Sequence, residues 1–421
     1  MANLLKEVRL IKVEMGENAN KYWNALLYDD GTVKATWARV GAASPASGEW
    51  AGGESYLVKK VREKLKKGYV EQKTIGAVQS SGSTVAVTSN LNEIAKRELI
   101  KTSSNKSLND LVDRLVKSNI HKITSSTNVT FNDTTGLFMT PLGVVTPDGI
   151  SDARDLLAEI HPLVKSCKFN SSLDGIVSKY IRIIPQSLGM KRFTAASIFP
   201  NDDAVQKQSD ILDSLEASYQ AMTTTPNTIK TDNSVPQSVF QVDLEVENGT
   251  DAERLEKWYE RSKKSMHGYD RVKIRNVFRV KIHDMDRTFV HTDPALKEVF
   301  HGTSQANCLS ILKSGLKVSP PSSAAIAGKM FGNGIYGAIN SSKSLGYTYG
   351  RWGQGGVGDS GWLFVCDFAM GKTHTTQAYG CSKPSGYDSV WAKASSGGLH
   401  HDELIVYANN RVNIKYLLEC K

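Results

Sequence analysis

Near residue 223 the hydrophobic pattern of this chain changes its period. Upstream, Ile150, Ala153, Leu156, Leu157, Ile160, Leu163 and Val164 recur at the three-and-four spacing of one helix face, and Leu173, Ile176, Val177, Tyr180 and Ile184 repeat it. Downstream, Phe240, Val242, Leu244 and Val246 alternate, a short helix follows around Leu255, Trp258 and Tyr259, and strands are expected at 272–282, 362–368, 403–407 and 412–418. Side chains return to one face every 3.6 residues on a helix and every 2 on a strand, so one element type cannot serve both halves. The chain must hold a helical block and a separate strand-dominated one, whose short connections favour antiparallel pairing.

A third block comes first. Tyr22–Tyr28 reads as a strand, Asp29-Asp30-Gly31 as a hairpin turn and Thr32–Trp37 as the partner strand. Leu57, Val58, Val61 and Leu65 then fall at helical spacing among Lys59, Lys60, Arg62, Lys64, Lys66 and Lys67, a face suited either to solvent or to phosphates. Residues 74–92 have linker composition. The expected domains are 1–75, a linker at 76–95, a helical block at 96–222 and a C-terminal block at 223–421. The fold class is multidomain α+β: a small sheet plus helix, an all-α bundle, and a mixed, mainly antiparallel β domain. Asp210 and Asp213, on a helix of the bundle, are expected on a solvated face.

At 421 residues and 40% hydrophobic, the chain can build several packed cores, and its net charge of +9 suits an anionic partner, nucleic acid first. No apolar run approaches the roughly 18 residues of a membrane helix, and the start lacks the apolar core of a signal peptide, so neither membrane insertion nor secretion is expected. Five scattered cysteines without a C-x-x-C pair argue against a disulfide framework and against a zinc site, and no metal is expected. His400 and His401 are adjacent and cannot both point at one ion from a strand.

Gly332-Asn333-Gly334-Ile335-Tyr336-Gly337 matches the G-x-G-x-x-G pattern of a dinucleotide-binding turn. That reading needs a buried strand before it and an amphipathic helix after it. Here Ser319-Pro320-Pro321-Ser322 precedes and Asn340-Ser341-Ser342-Lys343-Ser344 follows, so the Rossmann reading fails on context. The glycines still let the backbone pass close beside a ligand.

Taken with "VFHGTSQ" at 299–305 and "HDELIVY" at 401–407, this stretch resembles the NAD-binding core of the poly(ADP-ribose) polymerase family. His301, Tyr336 and Glu403 fall where that family has its histidine-tyrosine-glutamate triad. "MTPLGVVTPDGISDARDLLAEI" with "YIRIIPQSLGMK" resembles the family's helical regulatory domain, and "NKYWNALLYDDGTVKATWARVG" its WGR domain, with Trp37-Ala38-Arg39 at the signature run. The resemblance implies an NAD-dependent poly(ADP-ribosyl)transferase that uses NAD as substrate, needs no metal, responds to DNA strand breaks and modifies protein acceptors including itself. It implies a nuclear location if the source is eukaryotic, and a cytoplasmic one otherwise. For NAD binding it points to His301, Gly302, Thr303, Lys317, Tyr336, Lys343, Ser344 and Tyr347, with Lys317 where many members have arginine. Met330 and Glu403 would face the acceptor, and Trp37 and Arg39 would contact DNA, although Ala38 replaces the signature glycine.

The physical logic of such a site is consistent. A glycine backbone can offer both a donor and an acceptor to the nicotinamide amide, which makes Gly302 the candidate clamp. Ser344 would add a hydroxyl donor, and Tyr336 and Tyr347 would offer aromatic faces to the cationic ring. Cleavage of the nicotinamide–ribose bond has oxocarbenium character, which the Glu403 carboxylate would stabilise while His301 holds a ribose hydroxyl. The rival readings are a mono(ADP-ribosyl)transferase and a non-catalytic module that binds DNA breaks.

Overall fold

A computed structural model of the chain describes all residues except 1, 73–90, 101–104, 128, 132–137, 141–142, 187, 189–191, 224–239, 265–268, 270, 319–329, 349–359, 379–382 and 395–398. The first elements are β1 (Leu4–Glu14), β2 (Ala19–Tyr28), β3 (Thr32–Arg39), β4 (Ala46–Ala51), α1 (Gly53–Lys66) and β5 (Val70–Glu71). They form an antiparallel sheet in the order β4-β3-β2-β1-β5. The expected hairpin turn is there: Gly31 has φ 79°, in the left-handed region that favours glycine, and Asp30 Oδ1 accepts from the Thr32 amide. Alternate residues Val8, Leu10, Trp23, Ala25, Val33 and Ala35 fill one face, and Leu57 of α1 packs on them. Of the four apolar positions read on α1 only Leu57 is fully buried, while Val58 and Leu65 are exposed. One helix across a small sheet covers only a narrow stripe.

The chain continues through α2 (Leu91–Leu99), α3 (Lys106–Ser126), β6 (Thr130–Phe131), β7 (Phe138–Thr140), β8 (Gly143–Val144), α4 (Pro147–Lys165), α5 (Ser171–Ile183), α6 (Ala195–Ile198) and α7 (Asp202–Thr223). Local chemistry sets the starts of α4 and α5. Thr146 accepts from the Gly149 amide with Pro147 at the first helical position, and Asn170 accepts from the Leu173 amide. Two expectations are corrected. The block is not all-α, because β6, β7 and β8 pair as a small antiparallel sheet on which Phe131 and Phe138 face each other across strands. Asp213 is exposed as expected, although it pairs with Arg154 at 2.6 Å, whereas Asp210 is only partly exposed and pairs with Lys122 at 3.2 Å. The expected linker lies outside the described residues up to residue 90, and α2 occupies the rest of it.

The C-terminal part adds β9 (Val242–Val246), α8 (Thr250–Ser262), β10 (Ile274–Ile282), α9 (His283–Thr288), β11 (Leu296–Thr303), α10 (Gln305–Ser314), β12 (Ile335–Gly337), α11 (Ser341–Leu345), β13 (Gly361–Ala369), β14 (Thr373–Thr376), β15 (Ser389–Ala392), β16 (Glu403–Val406) and β17 (Val412–Cys420). Among the described residues the strands form two sheets, ordered β11-β13-β17-β10-β9 and β12-β16-β15-β14. Pairing is antiparallel except between β14 and β15, which run parallel. β13 is buried along almost its whole length, as a central strand covered on both faces must be. An isolated bridge from Phe300 to Ala338 ties β11 to the residue after β12.

The described residues group into two compact units, one from Met1–Thr88 and Lys122–Tyr219, the other from Ser89–His121, Gln220–Pro321 and Ala327–Lys421. The division cuts the expected helical block inside α3, so that α2 and the first half of α3 belong to the unit that holds the C-terminal sheets. No helix among the described residues is long and apolar enough to cross a membrane.

Candidate active site

The site grows from the edge of β11. Phe300 uses both backbone groups on Ala338, at 2.8 and 2.9 Å. Backbone groups on a strand alternate between its two edges, so the N–H and C=O of Gly302 point to the same edge one step further on, while His301 and Thr303 pair with β13. One donor and one acceptor on a single residue are what a primary amide requires. A side chain there would force the backbones apart: a Cβ on Gly302 would lie 1.8 Å from the Ser344 carbonyl oxygen. The strand therefore passes against α11 with no clearance.

β12 and β16 bring the other two triad residues beside it. Tyr336 stands opposite Ile405, and Glu403, two residues from Ile405, lies on the same face. His301 Nδ1 is 2.8 Å from the Tyr336 carbonyl oxygen. A carbonyl only accepts, so the imidazole proton sits on Nδ1 and Nε2 keeps its lone pair. Burial lowers the His301 pKa below its ordinary 6.5, against the bond to Tyr336, which keeps the ring neutral. The Tyr336 hydroxyl accepts from the Phe331 amide and donates to the Gly332 carbonyl, which fixes the turn at Gly332, whose φ is 88°. That turn leads into a short strand rather than a long helix, as rejection of the Rossmann reading requires.

Glu403 is 4% exposed. One carboxylate oxygen, Oε1, is 2.6 Å from Lys343 Nζ, and the other, Oε2, has no hydrogen-bond partner among the described residues. Burial works to lower the Lys343 pKa, but Tyr347 and Glu403 outweigh it and raise it, so the ammonium stays charged. Lys343 Nζ also lies 5.6 Å from the centre of the Tyr347 ring, whose hydroxyl burial pushes up. A buried carboxylate with one oxygen engaged and one bare is held ready for a hydroxyl or for a developing positive charge.

The remaining expected residues are placed as follows. The Ser344 hydroxyl donates to the Phe300 carbonyl at 2.9 Å, so its proton ties α11 to β11, where a donor to the ligand was expected. Thr303 is buried and accepts weakly from Asn307. Met330 packs against the cluster of Phe331, Val390, Ala392, Leu399 and Ile405, in which Ala392 is the cross-strand partner of Glu403. Lys317 is exposed on the coil after α10. In the N-terminal sheet Trp37 stacks on Trp50 at 6.1 Å, and Arg39 donates to the Asn18 carbonyl and side chain. One residue at the site escaped the sequence reading. Asp402, just before Glu403, accepts from Trp391 Nε1, Lys393 Nζ and the Ala394 amide and so ties the residue that precedes Glu403 to β15 and the coil after it. Its place beside Glu403 was the available signal.

Residues 250–421 match the family model described as the poly(ADP-ribose) polymerase catalytic domain. Among curated proteins, poly(ADP-ribose) polymerase 1 of Danio rerio is 23% identical over 319 residues, 67% of this chain and 31% of its own length. Poly(ADP-ribose) polymerase 2 of Arabidopsis thaliana is 23% identical over 323 residues, 67% of this chain and 49% of its own. Poly(ADP-ribose) polymerase 2 of Homo sapiens is 30% identical over 154 residues, 29% of this chain and 26% of its own. The chain spans between about a third and a half of the length of the first two.

Proposed function

We propose, from the premise that residues 250–421 form a poly(ADP-ribose) polymerase catalytic domain, that this chain transfers ADP-ribose from NAD to protein acceptors, itself included, and elongates the product. The observation that carries the reading is Glu403: buried, paired through one oxygen to Lys343, without a partner for the other among the described residues, and on the same face as Tyr336, whose carbonyl accepts from His301. NAD supplies a ribose bonded to a cationic nicotinamide, which leaves as a neutral molecule. The Gly302 backbone would hold the carboxamide and Tyr347 and Tyr336 the ring. The Nε2 lone pair of neutral His301 would accept a ribose hydroxyl. As the C–N bond breaks, its electron pair departs with nicotinamide, the acceptor oxygen bonds to the ribose carbon, and the acceptor proton passes toward Glu403 Oε2. Holding these groups in place removes most of the orientational cost of the reaction.

Activation by DNA strand breaks belongs to the same proposal, with Trp37 and Arg39 as contacts, protein acceptors as partners and a nuclear location in a eukaryote. It is supported by the chain's positive charge and by the resemblance of residues 20–41 to a WGR domain. The test is nicotinamide release from NAD, with and without nicked duplex DNA at fixed ionic strength, followed by gel mobility of the modified protein. Release stimulated by DNA, with a smear of slow product, is expected. A single sharp band would demote elongation to single transfer, and no release under either condition would refute the enzyme reading.

A further inference from the structure

Glu419, on β17, has a fully buried side chain and is satisfied four times over. Oε1 accepts from Arg114 Nη1 and, at 2.6 Å, from the Ser360 hydroxyl; Oε2 accepts from Arg114 Nη2 at 3.1 Å and from Asn276 Nδ2 at 2.7 Å. Arg114 comes from α3, whose first half groups with this unit. Its two-pronged grip fixes α3 in both distance and orientation.

From that fixed point α3 reaches the segment that leaves the site. The Arg114 guanidinium lies 5.3 Å from the centre of the Trp362 ring, and the Arg114 carbonyl accepts from Gln305 Nε2 at 3.2 Å. Gln305 Oε1 in turn accepts from Trp362 Nε1 at 3.0 Å. One turn on, Asn119 Nδ2 donates to the Ala306 carbonyl at 3.2 Å. Two consecutive residues at the start of α10 are therefore anchored by α3, directly after Gly302 and Thr303.

That anchoring is needed because local chemistry does not supply it. Ser304, the N-cap of α10, makes no side-chain capping bond. Gly302 cannot anchor the turn with its own N–H and C=O if those must meet a ligand. We infer that Gln305 and Arg114 are positioning residues for NAD: they hold the turn after Gly302 so that its backbone presents one fixed geometry, and the first half of α3 works as part of the transferase. This rests on the NAD-transfer reading above.

The experiment compares the full chain with Gln305→Leu, which removes both bonds of the link without stranding a charge, and with Arg114→Lys, which keeps charge on Glu419 but loses the fork. The readouts are KM and kcat for NAD, the inhibition constant of nicotinamide, and the thermal midpoint. The Gly302 clamp would hold the carboxamide alike in the ground state and the transition state, so loosening it removes uniform binding: Gln305→Leu should raise KM and weaken nicotinamide about tenfold, with kcat within about twofold of parent. Arg114→Lys should shift the same constants in the same direction, by less. If Gln305→Leu does not fold, Trp362→Phe removes the Nε1–H donor and is held to the same outcome. Variants with parental KM and nicotinamide inhibition, or with the whole loss in kcat, would overturn the inference while parent activity stands. A parent that neither binds nor consumes NAD would instead overturn the functional reading.

Discussion

The two regions to which function was assigned treat their polar groups in opposite ways. Among the described residues of the C-terminal unit Glu403 keeps a buried oxygen without a partner and the Gly302 amide and carbonyl face away from β13, while neighbouring groups are bonded: Tyr336 to the 331–332 turn, His301 Nδ1 to Tyr336, Ser344 to Phe300. In the N-terminal sheet the two signature residues are already engaged, Trp37 on Trp50 and Arg39 on Asn18. The first arrangement is preorganised and the second must exchange partners to bind. Ligand groups at the first should therefore be held tightly and in one geometry, and contacts at the second should be weaker and more dependent on salt.

Glu403→Gln probes the bare oxygen directly. The amide keeps shape but loses charge, and the transfer rate should fall about 10²–10³ with NAD affinity kept, as measured by nicotinamide release and calorimetric binding. A variant that elongates at the parent rate would remove the contrast between the regions.

The next largest effect is on stability. Burial would raise the Glu419 pKa, but Arg114, Ser360 and Asn276 hold it down from 4.5 to about 2. A carboxylate with a depressed folded-state pKa gives stability that is complete above the unfolded value and is lost as pH falls through the folded one. About 3 kcal/mol should disappear between pH 4.5 and 2, and Glu419→Gln should flatten that slope. Urea unfolding at a series of pH values measures both.

Gly302→Ala forces a methyl group against the Ser344 backbone. Overpacking of this kind costs about 1–3 kcal/mol, so the melting temperature should drop a few degrees and NAD binding should fail. Unchanged binding would mean that the strand and α11 can part.

Trp37→Ala should weaken binding of nicked DNA by about 1 kcal/mol, at the low end for a stacking aromatic because an internal partner competes, as read by fluorescence anisotropy at fixed salt. Smallest of all, His301 should contribute no acid limb near pH 6.5 to kcat/KM, because burial keeps the imidazole neutral there. A limb at that pH would show that the ring titrates in the free enzyme.

Much of the fold was legible where a residue's role depends on its neighbours in sequence. The Asp29-Asp30-Gly31 turn, the Thr146-Pro147 helix start and the alternation in β9 and β10 are of this kind. What the sequence hid depends on partners far away in the chain. Arg114 and Glu419 are 305 positions apart, and neither stretch marks the other. The division of α3 between two units leaves no trace in its apolar spacing, which stays helical throughout. The parallel pairing of β14 with β15 is an exception within the mainly antiparallel domain expected from short connections, and no local pattern marks it. At the site, the resemblance pointed to His301, Tyr336 and Glu403, but the bond that orients Ser344 toward Phe300 follows only from how closely α11 meets β11.

The Lys343–Glu403 pair also bears on how such a chain can change over generations. Replacing a buried ion pair with apolar side chains of similar volume is often neutral or favourable to folding, whereas losing one member alone leaves an uncompensated charge. Stability by itself therefore gives no reason to retain the pair; under the proposed transfer chemistry, selection for turnover would. A descendant copy released from that selection would be expected to lose both residues together, and its fold would tolerate the loss better than its chemistry.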